Sequence, residues 1–396
     1  MAALDGMRIL DMTQYEAGTS CTQALAWYGA DVVKVEPPGT GDPGRGAQRG
    51  QGNSPYFVNW NSNKRSIAID LAQPAGRDLM LSMAPGYDVF VENYGPGRME
   101  KLGIDYAAMR AVHPRIIYAR IKGFGTSGPW KDYKSYDMIA QASAGAFSVC
   151  GDPDGPPQWP GITAADAGTG LTMLSAILAA YVQQLRTGVG QEIEVSMQEA
   201  VSYLMRTRIS GAAEWGKAVV PRIGSGGVAT MDIYPCAGGG PNDYVYLMAV
   251  TSKHWDTLCP AIGRPELVLD ARFESDELRV ENRAALVEII QAWTMGRTKW
   301  EAMEALAAVG VPCSAVLDTV ELFANPHLRE RGFIHTLAHP EHGEIQLLGW
   351  APRMSESEVA MKRAPLLAEH TDEILREDLG LDAAALAELR ASGVLT

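Results

Sequence analysis

One aspartate in this chain stands where a carboxylate could act as a nucleophile. Asp166 lies in the run Ala165-Asp166-Ala167-Gly168-Thr169-Gly170, directly before the most apolar long stretch of the sequence. Small neighbours leave such a carboxylate open to a bulky electrophile, and carboxylates serve as covalent nucleophiles in enzymes. Gly168 and Gly170 would let a ligand approach the backbone closely. Aspartate is also a favoured helix N-cap, so the residues alone leave both roles open.

A long helix is predicted to carry this aspartate at its start, from Asp166 to Arg186. The stretch is apolar around most of its circumference, which predicts a buried helix. Before this helix in the sequence, short apolar strands alternate with helical stretches. The strands are predicted at 8–12, 30–36, 66–70, 89–92 and 116–121, and one more is predicted after the helix at 191–195. The alternation predicts an α/β fold with a Rossmann-like parallel sheet and helices on both faces.

Length and composition predict two domains. A chain of 396 residues exceeds what one hydrophobic core usually supports. Composition changes after about residue 209, where glycines begin to cluster. We predict a large Rossmann-like domain built from residues 1–209 and 311–396, a smaller α+β domain at 225–310, and a linker at 210–224.

Charge and hydropathy exclude several classes of function. The formal net charge is −13, whereas nonspecific nucleic-acid binding needs a basic surface. No run approaches about 18 uninterrupted apolar residues, so no membrane span is predicted. The start of the chain alternates like a strand and lacks a basic region, which argues against a signal peptide. The five cysteines form no CxxC pair, which predicts reduced thiols and a cytoplasmic protein.

Neither a metal nor a nicotinamide cofactor is indicated by the motifs. The histidines of His339-Pro340-Glu341-His342-Gly343 are interpreted as a solvated hairpin turn, because no ligand spacing typical of a metal site accompanies them. The loop after the first strand, 13–19, lacks the G-x-G-x-x-G needed for close approach to a pyrophosphate. An NAD-linked oxidoreductase is therefore disfavoured, although Glu36 ends the second strand where a dinucleotide fold puts its ribose-binding acid.

Several runs, taken together and in order, resemble the class III CoA-transferases, also called the CaiB/BaiF or formyl-CoA transferase-like family. They extend over essentially the whole chain. Any one run is weak evidence, but the ordered set is specific. The runs are ADVVKVEPPG at 30–39, NSNKRS at 61–66, VENYGPG at 91–97, KGFG at 122–125, DAGTG at 166–170, RTGVGQ at 186–191 and APLLAEHT at 364–371.

The resemblance implies a fold, an assembly and a set of site residues. It implies an interlocked homodimer in which each subunit pairs a large Rossmann-like domain with a small one. It implies that Asp166 is the catalytic carboxylate. The glycine loop with Gly224, Gly226 and Gly227 resembles the family's mobile loop over the active site. Coenzyme A would be held near Tyr15, Ala17, Asn93, Tyr94, Lys101, Lys134 and Tyr136.

The activity implied by the resemblance is transfer of coenzyme A from an acyl-CoA to a free carboxylic acid. The route would run through a covalent aspartyl intermediate, first a mixed anhydride and then an aspartyl-CoA thioester. Exchange between two carboxylic acids is nearly thermoneutral, so no metal and no permanently bound cofactor is expected. The expected partners are acyl-CoA, a small carboxylic acid and a second copy of the chain, with neither nucleic acid nor membrane.

One departure from the family pattern concerns the acids. Formyl-CoA transferases carry a glutamine where this chain has Glu16, and an ionised carboxylate cannot donate a hydrogen bond to an acyl oxygen. A second anion facing Asp166 would also raise its pKa. The formyl and oxalate pair is therefore not implied for this chain, and the sequence does not name the donor or acceptor acid.

Two alternatives stay open within the family. An acyl-CoA racemase or epimerase would use a histidine as proton shuttle, but the family histidine falls near Tyr136 and no histidine occurs between His113 and His254. Tyrosine is too weak an acid to replace imidazole easily near neutral pH. A non-catalytic acyl-CoA-binding subunit would lack the nucleophile, whereas Asp166 is present.

Overall fold

The alternation of strands and helices produces a six-stranded parallel sheet, which confirms the predicted α/β architecture. The structure is a computed structural model that describes residues 1–49 and 52–396. The sheet has the order β3-β2-β1-β4-β5-β6. The strands are β1 Arg8–Met12, β2 Asp31–Glu36, β3 Arg65–Ala68, β4 Val89–Glu92, β5 Ile117–Lys122, β6 Glu192–Ser196, β7 Met231–Pro235, β8 Tyr244–Met248, β9 Cys313–Ala315, β10 Ile334–His339 and β11 Gly343–Leu348.

Helices follow most of these strands and cover both faces of the parallel sheet. They are α1 Ala17–Trp27, α2 Pro55–Trp60, α3 Pro74–Met83, α4 Arg98–Leu102, α5 Tyr106–Val112, α6 Asp137–Ser143, α7 Ala164–Thr187, α8 Met197–Leu204, α9 Arg206–Ala212, α10 Ser252–Ala261, α11 Asp276–Glu281, α12 Arg283–Thr294, α13 Lys299–Ala308, α14 Thr319–Ala324, α15 Pro326–Glu330, α16 Thr371–Leu379 and α17 Ala383–Ala391. Short 3-10 helices lie between some of them, as at Pro43–Arg49.

The two faces of the parallel sheet support separate cores. Side chains alternate along a strand, so neighbours in β1 point to opposite faces. Ile9 packs into a cluster with residues of α1 and α7, including Ile177. Leu10 packs into a second cluster with residues of α3 and α16, including Met80 and Ile374. This arrangement explains why central strands read as continuous apolar runs rather than alternating ones.

Helix α7 is only partly buried within the chain, whereas its composition predicted a buried helix. Met173 and Ile177 are fully buried, while Leu171 and Leu185 on another face are 51% and 63% exposed. The helix is long and apolar enough to span a membrane by length and composition alone. Core helices pass the same test, and α7 packs its buried face on the sheet.

The histidine-rich segment forms the predicted hairpin. Strands β10 and β11 pair antiparallel, with His339 opposite Gly343 across the turn. His339 is almost completely buried, whereas the sequence predicted a solvated turn. No group of three or more potential metal ligands occurs in the part of the chain that the structure describes.

The chain divides into two compact units. The larger contains Met1–Ser148, Trp159–Val220 and Gly332–Thr396, and the smaller contains Val149–Gln158 and Pro221–Arg331. The smaller unit has a three-stranded sheet of order β7-β8-β9. The segment 311–331, predicted in the large domain, lies in the smaller unit because β9 pairs antiparallel with β8. Residues Val149–Gln158, also predicted in the large domain, likewise lie in the smaller unit, and the linker at 210–224 stays a prediction.

Candidate active site

The loops that follow β1 and β4 meet at the point where the strand order of the sheet reverses. In such sheets, ligands bind outside the carboxyl ends of the strands at this switch point. The amide of Gln14 donates to Asn93 Oδ1 at 2.8 Å, and Asn93 Nδ2 donates to the Gln14 carbonyl at 2.8 Å. Asn93, predicted to bind CoA, therefore also joins the two loops.

Tyr15 holds an unusual backbone conformation at the entrance to α1. Its φ is +58°, in the left-handed region that a residue with a side chain seldom occupies. Its amide donates to Asp42 Oδ1 at 3.1 Å, and Asp42 is paired with Lys34 at 2.8 Å in the interior. The Tyr15 ring meets the edge of Tyr136 with centroids 6.0 Å apart. These contacts of Tyr15 fix the position of the next residue, Glu16, which is the N-cap of α1.

The start of α7 is capped by a residue from α6, not by Asp166. Asp137 Oδ1 accepts hydrogen bonds from the amides of Ala165 and Asp166 at 3.0 and 3.1 Å. Gln141 Nε2 donates to the other Asp137 oxygen at 2.7 Å. The formal N-cap residue, Thr163, makes no capping bond with its side chain. The Asp166 carboxylate is therefore not used as a cap.

Glu16 and Asp166 face each other with raised pKa values. Glu16 is 3% exposed, and its Oε1 accepts a hydrogen bond from Thr163 Oγ1 at 2.5 Å. Burial and then the nearby charge of Asp137 raise the pKa of Glu16 to about 7, against the lowering effect of the Thr163 bond. Burial, then Glu16 and Asp137, raise the pKa of Asp166 to about 8. Near neutral pH these carboxyl groups hold protons that ordinary carboxylates would release.

Gly168 and Gly170 contribute to helix packing, and their role in ligand approach stays a prediction. A Cβ at Gly170 would overlap Ser20 Oγ, and it would lie 2.9 Å from the Ala17 carbonyl oxygen. A Cβ at Gly168 would lie 3.3 Å from a methyl carbon of Leu204. Glycine therefore lets α7 approach α1 and α8 closely, and this approach brings Asp166 towards Glu16.

A cavity of about 580 Å³ in the larger unit contains Asp166 and most of the predicted CoA contacts. The predicted residues that line it are Tyr15, Ala17, Asn93, Tyr94, Lys134 and Tyr136. Lys101 lies on α4 and is not among the lining residues. Its contact with CoA stays a prediction.

The glycine turn with Gly224, Gly226 and Gly227 lies in the smaller unit. Gly224 has a φ of +62°, which favours glycine. A Cβ at Gly226 would overlap the Met231 carbonyl oxygen, so close packing also requires a glycine there. The role of this turn over an active site stays a prediction.

The sequence interpretation missed three cations and one tyrosine at this site. Arg98, Lys122 and Lys131 line the cavity, and Lys122 also pairs with Glu92 at 2.8 Å. Arg98 follows β4, Lys122 ends β5 and Lys131 lies in the loop after β5. Because ligands bind at the carboxyl ends of such strands, these positions could have predicted the three residues as site residues. Tyr56 on α2 has a raised pKa, caused by burial and then by the charges of Glu16 and Asp166, so it also faces the carboxylates.

Known proteins with similar sequences are CoA-transferases. The sequence profile of CoA-transferase family III matches residues 4–371. A formyl-CoA:oxalate CoA-transferase of Streptomyces avermitilis is 39% identical over 99% of this chain and 99% of its own length. Another formyl-CoA:oxalate CoA-transferase, of Rhodopseudomonas palustris, is 38% identical over 99% of this chain and 97% of its own length.

Solved structures agree with this similarity. A CAIB/BAIF family protein from Brucella suis superposes with a TM-score of 0.85 at 30% identity, covering 95% of this chain and 99% of that protein. A hypothetical protein from Mycobacterium tuberculosis gives a TM-score of 0.82 at 29% identity, with the same coverage. This chain therefore belongs to CoA-transferase family III and is an enzyme that transfers coenzyme A.

Proposed function

We propose that the chain moves coenzyme A from an acyl-CoA to a free carboxylic acid, with Asp166 as the carboxylate that is transiently acylated. The observation that carries the proposal is the cavity in which Asp166 stands beside the predicted CoA contacts. The predicted interlocked homodimer and cytoplasmic location belong to the same proposal. The names of the relatives make formyl-CoA and oxalate the first donor and acceptor to test.

The chemistry uses one carboxylate twice. An Asp166 oxygen attacks the carbonyl carbon of the donor thioester. The C–S bond breaks, CoA leaves as thiolate, and a mixed anhydride between Asp166 and the donor acid remains. The thiolate attacks the aspartyl carbon and expels the donor acid, leaving an aspartyl-CoA thioester. The acceptor carboxylate then attacks the aspartyl carbon and releases the thiolate, which leaves a second mixed anhydride between Asp166 and the acceptor acid. Thiolate attack on the acceptor acyl carbon gives the new acyl-CoA and restores Asp166.

Positively charged side chains along the cavity suit the phosphate groups of coenzyme A. Arg98, Lys131 and Lys134 are exposed and form no ion pair with any residue of the described ranges. Exposed cations attract phosphate groups, and flexible lysine stems can adapt to them. No residue lining the cavity within the described part of the chain is a histidine, which favours CoA transfer over racemisation.

The proposed nucleophile must lose its proton before it can attack. With a pKa of about 8, Asp166 is ionised in about one tenth of molecules at pH 7 and about nine tenths at pH 9. The partly buried site also limits the water that would hydrolyse the anhydride. The rate of CoA transfer should therefore rise with pH through this range.

Two measurements test the assignment of Asp166. Asp166→Asn and Asp166→Ala should each abolish CoA transfer, measured as exchange of labelled free acid into acyl-CoA. Hydroxylamine added during turnover should modify a peptide that contains Asp166. Asp5→Asn, an exposed aspartate near the start of the chain, is the matched control and should keep full activity. Near-normal transfer by Asp166→Ala would refute the proposal.

A further inference from the structure

Glu16 lies beside the cavity that contains Asp166, and its own side chain is almost completely buried. Tyr15 and Ala17, on either side of it in the chain, both line the cavity that contains Asp166. Its side chain reaches the first turn of α7 through the 2.5 Å bond from Thr163, three residues before Asp166. An acyl group attached to Asp166 would therefore lie close to Glu16, which is also one of the groups that raise the pKa of Asp166.

Few groups around Glu16 could offset its charge. Asp166 and Thr163 face it from α7, Asp137 from α6 and Tyr56 from α2. None of these side chains is cationic. Among the side chains that the structure describes, which do not include those of residues 48–51, no lysine or arginine forms an ion pair with Glu16 or Asp166. The acyl end of the site therefore becomes anionic as Glu16 loses its proton, in contrast with the cationic residues further along the cavity.

A substrate with a second carboxylate would bring a further negative charge into this environment. Like charges a few ångströms apart repel strongly when partly removed from water. We propose that Glu16 makes this site select acids whose only negative charge is the reacting carboxylate, and disfavour dicarboxylates such as oxalate. This specificity rests on the proposed function, because it presupposes an acyl group carried by Asp166.

The selection should depend on pH because Glu16 can carry a proton. With its pKa near 7, Glu16 is mostly neutral below that pH and then repels a second carboxylate less. Its protonated oxygen can also donate a hydrogen bond, as an amide would. The preference for monocarboxylates should therefore be strong in alkaline buffer and weaker in mildly acidic buffer. A glutamine at this position has no such titration.

A matched pair of acceptors tests the inference: glycolate, with one carboxylate and a hydroxyl, and oxalate, with two carboxylates. Transfer is measured as kcat/KM for each acid, using formyl-, acetyl- and succinyl-CoA as donors. The wild type should prefer glycolate by at least about tenfold at about pH 8.5, and by less at about pH 6. Glu16→Gln should lower this ratio at least about tenfold and remove its pH dependence. Glu344→Gln, an exposed glutamate on β11, should keep the wild-type ratio.

The outcomes separate the two proposals. A wild-type preference for oxalate, or an unchanged ratio in Glu16→Gln, would overturn the role of Glu16 while leaving CoA transfer intact. No transfer from any of the three donors to either acid would overturn the proposed function and the inference with it. If Glu16→Gln has a reduced melting temperature, Glu16→Met provides a second uncharged variant, and the same loss of preference is expected.

Discussion

Asp137 links the stability of α7 to the ionisation of Asp166, and two substitutions can separate these effects. Its Oδ1 accepts both capping amides of α7, while its charge contributes to the raised pKa values of Asp166 and Glu16. Asp137→Asn keeps an oxygen that can accept the amides but removes the charge. Asp137→Ala removes both. We expect the first variant to change mainly the pH dependence and the second to change mainly the stability.

The sizes of both effects follow from the contacts. Two capping amides left without an acceptor in Asp137→Ala should destabilise the protein by about 2–4 kcal/mol. Asparagine is as good an N-cap as aspartate, but its nitrogen cannot accept the bond from Gln141, so Asp137→Asn should lose about 1–2 kcal/mol. Removing the negative charge of Asp137, which contributes to the raised pKa of Asp166, should lower that pKa by about one unit. The ionised fraction at pH 7 would then rise from about one tenth to about one half.

Two assays measure these changes separately. The pH dependence of kcat/KM reports the pKa of the free enzyme, and its acid limb should move from about pH 8 to about pH 7 in Asp137→Asn. Urea denaturation gives the free energy of unfolding for each variant. An unshifted acid limb in a stable Asp137→Asn protein would refute the electrostatic argument. Equal stabilities of Asp137→Ala and the wild type would refute the capping argument.

Two further predictions concern the interior and the cavity wall. Lys64→Met should destabilise the protein by about 3–5 kcal/mol in urea denaturation, because it leaves the fully buried Asp11 without its ion-pair partner at 2.9 Å. The exposed Lys362→Met is the control, and a loss below about 1 kcal/mol for Lys64→Met would contradict the argument. Lys134→Ala should raise the KM for acyl-CoA severalfold at unchanged kcat, by less in high salt. An unchanged KM, or an equal rise in Lys362→Ala, would count against a contact between Lys134 and a phosphate.

Much of the sheet could be predicted because its signals are local. Apolar runs bounded by Gly and Pro marked the strands, and β1 and β4 have the predicted bounds. The sequence missed β7, whose five residues include Asp232 and Pro235 and so lack a clean apolar pattern. The face of α7 that stays exposed could not be predicted either, because periodicity shows which residues are apolar but not what covers them.

The site depended more on contacts between distant parts of the chain. The position of Asp166 at the start of α7 was predictable from composition and helix signals. The cap from Asp137, 28 residues before the amide of Ala165, was not, because capping signals are read within a few residues. Tyr56 was missed for a similar reason: only the folded chain brings α2 to the carboxylates.

The three neighbouring carboxyl groups at the start of α7 have a consequence for the proposed covalent intermediates. In the proposed mechanism, an ionised Asp166 loses its negative charge when it becomes an anhydride or a thioester, so its repulsion with Glu16 and Asp137 disappears. The surroundings that make the free carboxylate unfavourable therefore favour each of its acylated forms. Electrostatic relief of this kind would offset part of the free energy needed to form a reactive anhydride, and would let the modified enzyme accumulate during turnover.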